Sequence, residues 1–189
     1  MSYPVSLEID YERRHSRLTT FFRGLLAVPH IVFLYAYTIV FLVVLVIAWF
    51  ALLLTARWPG GLYRFASGYL RYTIRLSAYL ALAVDAYPPF GGGADDAYPV
   101  RVRIDPPLAH YSRLKVLFRG IYAILAQVIR YALGLVISFV AVLSWFVIVI
   151  TGRLPTTLFE PLRFSLSYTT RADALSLLIT ETYPPLGDG

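Results

Sequence analysis

The sequence contains no cysteine, which excludes disulfides, thiolate metal sites and cysteine nucleophiles. Lysine occurs once, at Lys115, and histidine three times, at His15, His30 and His110. Charged residues make up 15% of the chain and hydrophobic ones 58%, against about 25% and 45–50% in a soluble domain. The chain also lacks HExxH and CxxC metal spacings, a GxSxG elbow and a phosphate-binding glycine loop. Gly91-Gly92-Gly93 has no Lys-Ser/Thr after it and reads as a linker. With no nucleophile–base set, no metal-ligand cluster and no cofactor motif, the sequence predicts a protein that is not an enzyme and carries no cofactor. His30 is the single minor candidate for an axial contact to a haem or pigment, although a polar residue opening a helix explains it as well.

What the chain has in abundance is long apolar sequence. His30 to Ala56 carries no charge. As a helix its 27 residues would measure roughly 40 Å, while a bilayer core of about 30 Å needs about 20 apolar residues. Ile121 to Thr151 repeats the theme, interrupted by Gln127 and Arg130. A soluble fold would have to bury two all-round apolar helices in 189 residues. The expectation is an all-α, multi-pass integral membrane protein. Residues 1–16 are polar, and the first apolar run exceeds a signal h-region, so no cleaved leader is expected. The net charge is +6, almost wholly from arginine. The arginines are dispersed among apolar residues, which argues for anionic headgroups and against nucleic acid.

The chain is one unit written twice. Tyr3-Pro4-Val5 returns as Tyr98-Pro99-Val100, and Ser112-Arg113-Leu114 stands 96 positions after Ser16-Arg17-Leu18. Trp49-Phe50 returns as Trp145-Phe146, and Tyr87-Pro88-Pro89 as Tyr183-Pro184-Pro185. A fixed register with matched Trp, Pro and Arg indicates a duplicated domain, with repeats at 1–93 and 94–189. Each repeat opens on an alternating stretch, Val5–Ile9 or Val100–Ile104, that reads as a short half-buried strand. The two strands can pair if they share one side of the membrane. Next comes a basic amphipathic segment, Ser16–Val28, bounded by Pro29. It is either an interfacial helix or the first turns of the spanning helix with Arg17 and Arg23 snorkelling. Arg17, Arg23, Arg113 and Arg119 are the candidate lipid-headgroup contacts.

A further helix is expected over about Leu62–Val84. At 100° per residue Arg64, Ser67, Gly68, Arg71, Arg75 and Asp85 share one stripe, as do Glu160, Arg163, Ser167, Arg171 and Glu181 in the second repeat. An arginine at a bilayer centre costs about 2.5–3.5 kcal/mol on insertion scales. The stripe, with Arg64, Arg71, Arg75, Arg163 and Arg171, therefore predicts a contact with a partner, the other repeat or a water-filled cavity. If this helix crosses, there are four membrane helices and the repeats are parallel; if it lies flat, the repeats are inverted. Both basic clusters precede their long helix, so the positive-inside rule favours the parallel form with basic segments and strands cytoplasmic. Arg57, Arg64, Arg71 and Arg75 count against it. The linker Phe90–Asp96 reads as a flexible, solvated turn.

Arg57-Trp58-Pro59-Gly60-Gly61-Leu62-Tyr63-Arg64-Phe65, Gly68-Tyr69-Leu70-Arg71-Tyr72 and Asp85-Ala86-Tyr87-Pro88-Pro89-Phe90 resemble the signature of a bacterial membrane domain family of unknown function. The first repeat fits closely. The second departs at Leu154, Glu160, Pro161, Phe164 and Ser167. The resemblance implies a bacterial inner-membrane protein and brings no activity, substrate or cofactor. The function expected first is a non-catalytic accessory or scaffold subunit of a larger membrane complex, with partner subunits or further copies of itself. An oligomeric small-anion channel or transporter and an anionic-lipid-binding, membrane-organising protein are the alternatives.

Overall fold

Residues 3–187 are described by the computed structural model. The first repeat runs β1 (Val5–Ile9), α1 (Arg17–Phe21), α2 (Arg23–Thr55) and α3 (Gly60–Leu80). The second repeats that order with β2 (Val100–Ile104), α4 (Arg113–Leu117), α5 (Arg119–Thr151) and α6 (Thr156–Ser176). Serine starts each short helix: the Ser16 and Ser112 hydroxyls accept from the Thr19 and Lys115 backbone N–H groups, as N-caps do. Asp85 and Glu181 add a carboxylate at those same ends, accepting from the backbone N–H of Ser16 at 2.9 Å and of Ser112 at 2.6 Å. Each long helix ends on a left-handed residue, Ala56 (φ 55°) or Gly152 (φ 69°), which releases the chain into the turn.

Pro29 does not end the amphipathic segment as expected. It lies inside α2, and the break falls earlier, at Phe22. The second repeat breaks at the equivalent Phe118 although it has Leu125 where the first has Pro29. The break therefore belongs to the repeat rather than to the proline. Ser16–Val28 divides into α1 and the opening of the long helix.

The strands form an antiparallel ladder, with Val5 opposite Ile104, Leu7 opposite Val102 and Ile9 opposite Val100. Val102 is the repeat mate of Leu7, so the ladder is centred on a pseudo-two-fold axis. The rest of the molecule obeys it. His15 N–H bonds the Gly152 carbonyl and Tyr111 N–H bonds the Ala56 carbonyl. Trp49 Nε1–H donates to the Val116 carbonyl at 3.2 Å, and Trp145 Nε1–H to Thr20 at 3.1 Å. Each pair swaps the repeats. Each repeat also lends its strand to the other: α3 packs beneath β2, and α6 beneath β1. The two repeats are thus intertwined, and the core is continuous between them.

Three layers result. The ladder is one face, α3 and α6 lie against each other in the middle, and α2 and α5 cover the opposite side, on α3 and α6 respectively. The symmetry also fixes the attitude of the long helices. Ser16 and Ser112 are mates, as are Ala56 and Gly152, and the start of each repeat is bonded to the end of the other's long helix. Both ends of α2 therefore stand at one height along the axis, and so do both ends of α5. The long helices run crosswise to the axis that passes through the ladder, and antiparallel to each other.

Candidate membrane-facing site

Among the described residues, two helices are long and apolar enough to cross a membrane, Arg23–Thr55 and Arg119–Thr151. In their most apolar windows only 11% and 17% of residues are buried. The buried ones on α2 are Arg23, Ala27, His30, Phe41, Ala48 and Leu52, a single stripe at helical spacing. Around it Val32, Tyr35, Leu42, Val43, Ile47 and Leu54 are exposed. α5 matches it with Ala123, Ala126, Val140, Ser144 and Ile148 buried and Ile124, Tyr131, Leu135, Phe139 and Ile150 exposed. A contiguous apolar surface of this extent marks a contact with lipid or with another protein.

α3 and α6 are not part of that surface, and the expectation of four membrane helices does not extend to them. Most of their residues are buried inside the protein. The predicted stripe faces the ladder of the same chain. Arg75, 1% exposed, donates from Nε to the Val100 carbonyl at 3.3 Å, from Nη1 to Gly93 at 2.9 Å and from Nη2 to Asp95 at 3.3 Å. Its guanidinium also lies 5.6 Å from the Tyr98 ring centre. Arg71 donates to Val102 at 3.3 Å, and Arg171 to Gly187 at 2.7 Å. Arg163 pairs with Glu160 at 3.0 Å, and Arg64 is exposed. Arg71 and Arg75 thus hold β2 and the linker. The linker is docked on α3 at Gly92, where a Cβ would clash with the Gly68 carbonyl oxygen, while Gly93, Ala94, Asp96 and Ala97 are exposed.

The four arginines expected at headgroups divide. Arg17 and Arg113 are exposed, and Arg113 Nη2 donates to the Leu54 carbonyl at 3.0 Å, where a cation suits a helix C-terminus. Arg23 and Arg119 are buried, 4% and 6% exposed. Arg23 donates to the carbonyls of Tyr79 at 2.7 Å and Val84 at 2.8 Å, and pairs with Asp85 at 2.7 Å. Arg119 Nη1 donates to Thr180, the mate of Val84, at 3.0 Å. Among the described residues its Nε and Nη2 are buried without a hydrogen-bond partner.

His30 is fully buried and bonds the Tyr72 hydroxyl from Nδ1 at 2.8 Å. Its ring stacks on Phe90 at 4.2 Å and touches Tyr87. It sits in an aromatic box that docks the Tyr-Pro-Pro-Phe turn onto α2, not at an exposed helix start. The second repeat has Ala126 there and builds different polar contacts. Arg130 pairs with Asp173 at 2.5 Å, and Gln127 donates to the Ser176 hydroxyl at 2.5 Å. No group of three metal-ligating side chains occurs among the described residues.

Polar groups also line the outer ladder face. Arg101 pairs with Asp10 at 2.6 Å and Glu8 at 3.4 Å, and Arg103 with Glu8 at 3.3 Å. Hydrogen bonding to Arg101 holds the Asp10 carboxyl below the usual carboxylate range. Charge is thus gathered on the face opposite the apolar helices. Sequence reasoning did not find this opposition, because it depends on which repeat each strand covers.

The fold is that of a duplicated helical protein with an apolar helix pair on one side and a charged strand ladder on the other. The chain belongs to the family described as a domain of unknown function, DUF4389, whose model matches residues 17–91 and again residues 113–186. No curated protein and no solved structure matches it.

Proposed function

We propose that the protein is a non-catalytic membrane protein that lies in one leaflet, with α2 and α5 as its embedded floor, and acts by binding and organising lipid. The observation that carries this reading is the attitude of the long helices across the ladder axis. With that axis along the membrane normal, the apolar floor meets hydrocarbon and the ladder meets water. With the axis in the membrane plane, the ladder lies at half depth. Arg103, 68% exposed, and Asp10, with a 54% exposed side chain, would then face lipid, at a cost of several kcal/mol for each uncompensated group.

The basic residues support the same arrangement. Arg13, Arg14, Arg17 and Arg153 cluster at one end of the helix pair, and Arg57, Arg113 and Lys115 at the other, joined by the backbone bonds of His15 to Gly152 and Tyr111 to Ala56. A crossing pair would carry one cluster to the outer side. A flat pair keeps both at one anionic surface, where each basic residue contributes about 1 kcal/mol. A small-anion path loses its motive, since Arg71, Arg75 and Arg171 are engaged with carbonyls of their own chain. The accessory-subunit reading loses the same motive and rests on the exposed apolar faces alone.

Sidedness labelling tests the proposal. Gly60→Cys and Thr156→Cys place thiols at opposite ends of the molecule in this cysteine-free chain; both positions are exposed. In sealed vesicles of one orientation, both thiols react with an impermeant maleimide from the same side. Reaction from opposite sides would mean that the helices cross. Companion subunits recovered in fixed ratio after mild solubilisation would instead assign the apolar faces to protein.

A further inference from the structure

The two seams between the repeats are mates by symmetry, yet they are not alike. At one, Trp145, Arg23, Gly24 and Leu80 line a recess of about 260 Å³. At the other, Trp49, Arg119, Gly120 and Ser176 line a groove of about 620 Å³, within the roughly 300–1,000 Å³ of small-molecule sites. The difference is written in the sequence. Leu80 of the first seam is replaced by Ser176 in the second, and Ile31 by Gln127. Two bulky aliphatics are lost and two polar side chains are gained beside Arg119 in a wall that is otherwise apolar.

The arginines differ in the same direction. Arg23 has its counter-ion in Asp85 and two carbonyls besides. Arg119 has one carbonyl. Glu181, in the place of Asp85, accepts from Ser112 and forms no ion pair with Arg119 among the described residues. A buried guanidinium with Nε and Nη2 unpartnered is costly unless an acceptor reaches it. It lines the larger groove, whose outer walls are the exposed Val46 and Phe50 of α2. Arg113 and Lys115 lie exposed a few residues before it, at the end of the helix.

We propose that this groove is a site for one anionic phospholipid, with a phosphate oxygen accepting from Nε and Nη2 of Arg119 and an acyl chain lying along Leu45, Trp49 and Phe50. The proposal rests on the reading that α2 and α5 face lipid, and it adds selectivity at one seam. The first seam, where Arg23 is already paired with Asp85 and the recess is smaller, is its internal control. A simple basic rim would favour anionic lipid at least as much at the first seam, where Arg13, Arg14, Arg17 and Arg153 stand against Arg57, Arg113 and Lys115 at the second.

Tryptophan quenching separates these cases. The full chain carrying Trp58→Phe and Trp145→Phe leaves Trp49 as the reporter; Trp49→Phe with Trp58→Phe leaves Trp145. Each is reconstituted into phosphatidylcholine vesicles containing a fixed fraction of brominated phosphatidylglycerol or, separately, brominated phosphatidylcholine. Trp49 should be quenched by the anionic lipid with about a three-fold or greater preference, and Trp145 without preference. Arg119→Gln should remove the preference. Because that variant removes a buried charge, Gln127→Ile with Ser176→Leu serves beside it. This pair installs the residues of the first repeat, narrows the groove, and should also remove the preference. Equal quenching of Trp49 by both lipids, or a preference that survives both variants, would overturn the site. Absence of quenching of either tryptophan by any brominated lipid would instead overturn the lipid-facing reading beneath it.

Discussion

The backbone N–H of Tyr111 bonds the carbonyl oxygen of Ala56 at 2.8 Å, so the second repeat begins where the first long helix ends. The mate bond, from His15 to Gly152 at 3.1 Å, closes the ring. Together they make the repeats one folding unit rather than two beads, because the strand, short helix and turn of each repeat are completed by the other.

The two seam tryptophans should therefore matter equally. Trp49→Phe and Trp145→Phe each remove an indole hydrogen bond to the opposite repeat and keep most of the apolar area. Each should destabilise the protein by about 1 kcal/mol. Thermal unfolding in detergent checks this. A single transition that shifts as a whole is expected for both variants; a transition that splits would mean that the repeats fold separately.

Gly92→Ala should undock the linker. Its Cβ would clash with the Gly68 carbonyl oxygen, a backbone contact that no rotamer relieves. A cost of about 1–3 kcal/mol is expected for such overpacking, with protease cleavage appearing between Phe90 and Ala97. Gly93→Ala, where a Cβ meets nothing within 4 Å, should leave the linker resistant.

Arg75→Met should be among the most damaging single changes outside the long helices. The side chain fits the buried path, but the carbonyls of Val100, Gly93 and Asp95 lose their donor. Charged hydrogen bonds of this kind are worth about 1.5–3 kcal/mol each, and the loss is not additive. Hydrogen exchange should report faster opening of the β2 and linker amides than of the α5 amides. Equal acceleration throughout would mean that Arg75 does not hold the ladder specifically.

Stability should fall with acidification below about pH 6.5, the unperturbed histidine value. Burial holds the His15 pKa below that value; the Asp85 carboxylate works in the opposite direction, and Arg23 adds to the lowering. The folded protein therefore keeps His15 neutral while the unfolded chain takes up a proton. Its contribution is fully present above the unfolded pKa and is lost as pH falls toward the lower folded one. The melting temperature should decline between pH 6.5 and 5, and His15→Gln should flatten that decline.

Much of the architecture was legible in the residues. The duplication, both strands and the two long apolar helices follow from register, alternation and length. The attitude of those helices did not, because antiparallel pairing between strands 95 positions apart leaves no local signature. The arginine stripe is visible as a pattern, and the pattern alone does not choose among its possible destinations. Arg75 and Tyr98, like Arg171 and Tyr3, belong to opposite repeats, and a stripe facing the other repeat was one of the destinations the pattern allowed. Asp85 and Glu181 are each followed closely by Tyr-Pro-Pro, and each caps the short helix of its own repeat. Pro29 misled because its missing N–H lies within an otherwise continuous helix, while the true break follows from the capped turn before Arg23.

The central claim is that α2 lies along the membrane. At about 1.5 Å per residue its 33 residues span about 50 Å, so a crossing and a flat helix give very different depth profiles. Spin labels at Leu25, Val32, Ile39, Val46 and Leu54 sit at exposed positions along the helix. Their depths are read from relaxation by oxygen against a water-soluble nickel reagent. We expect similar depths from Leu25 to Leu54. A profile that deepens to a maximum near Ile39 and rises again toward both ends would contradict the account and make α2 a crossing helix.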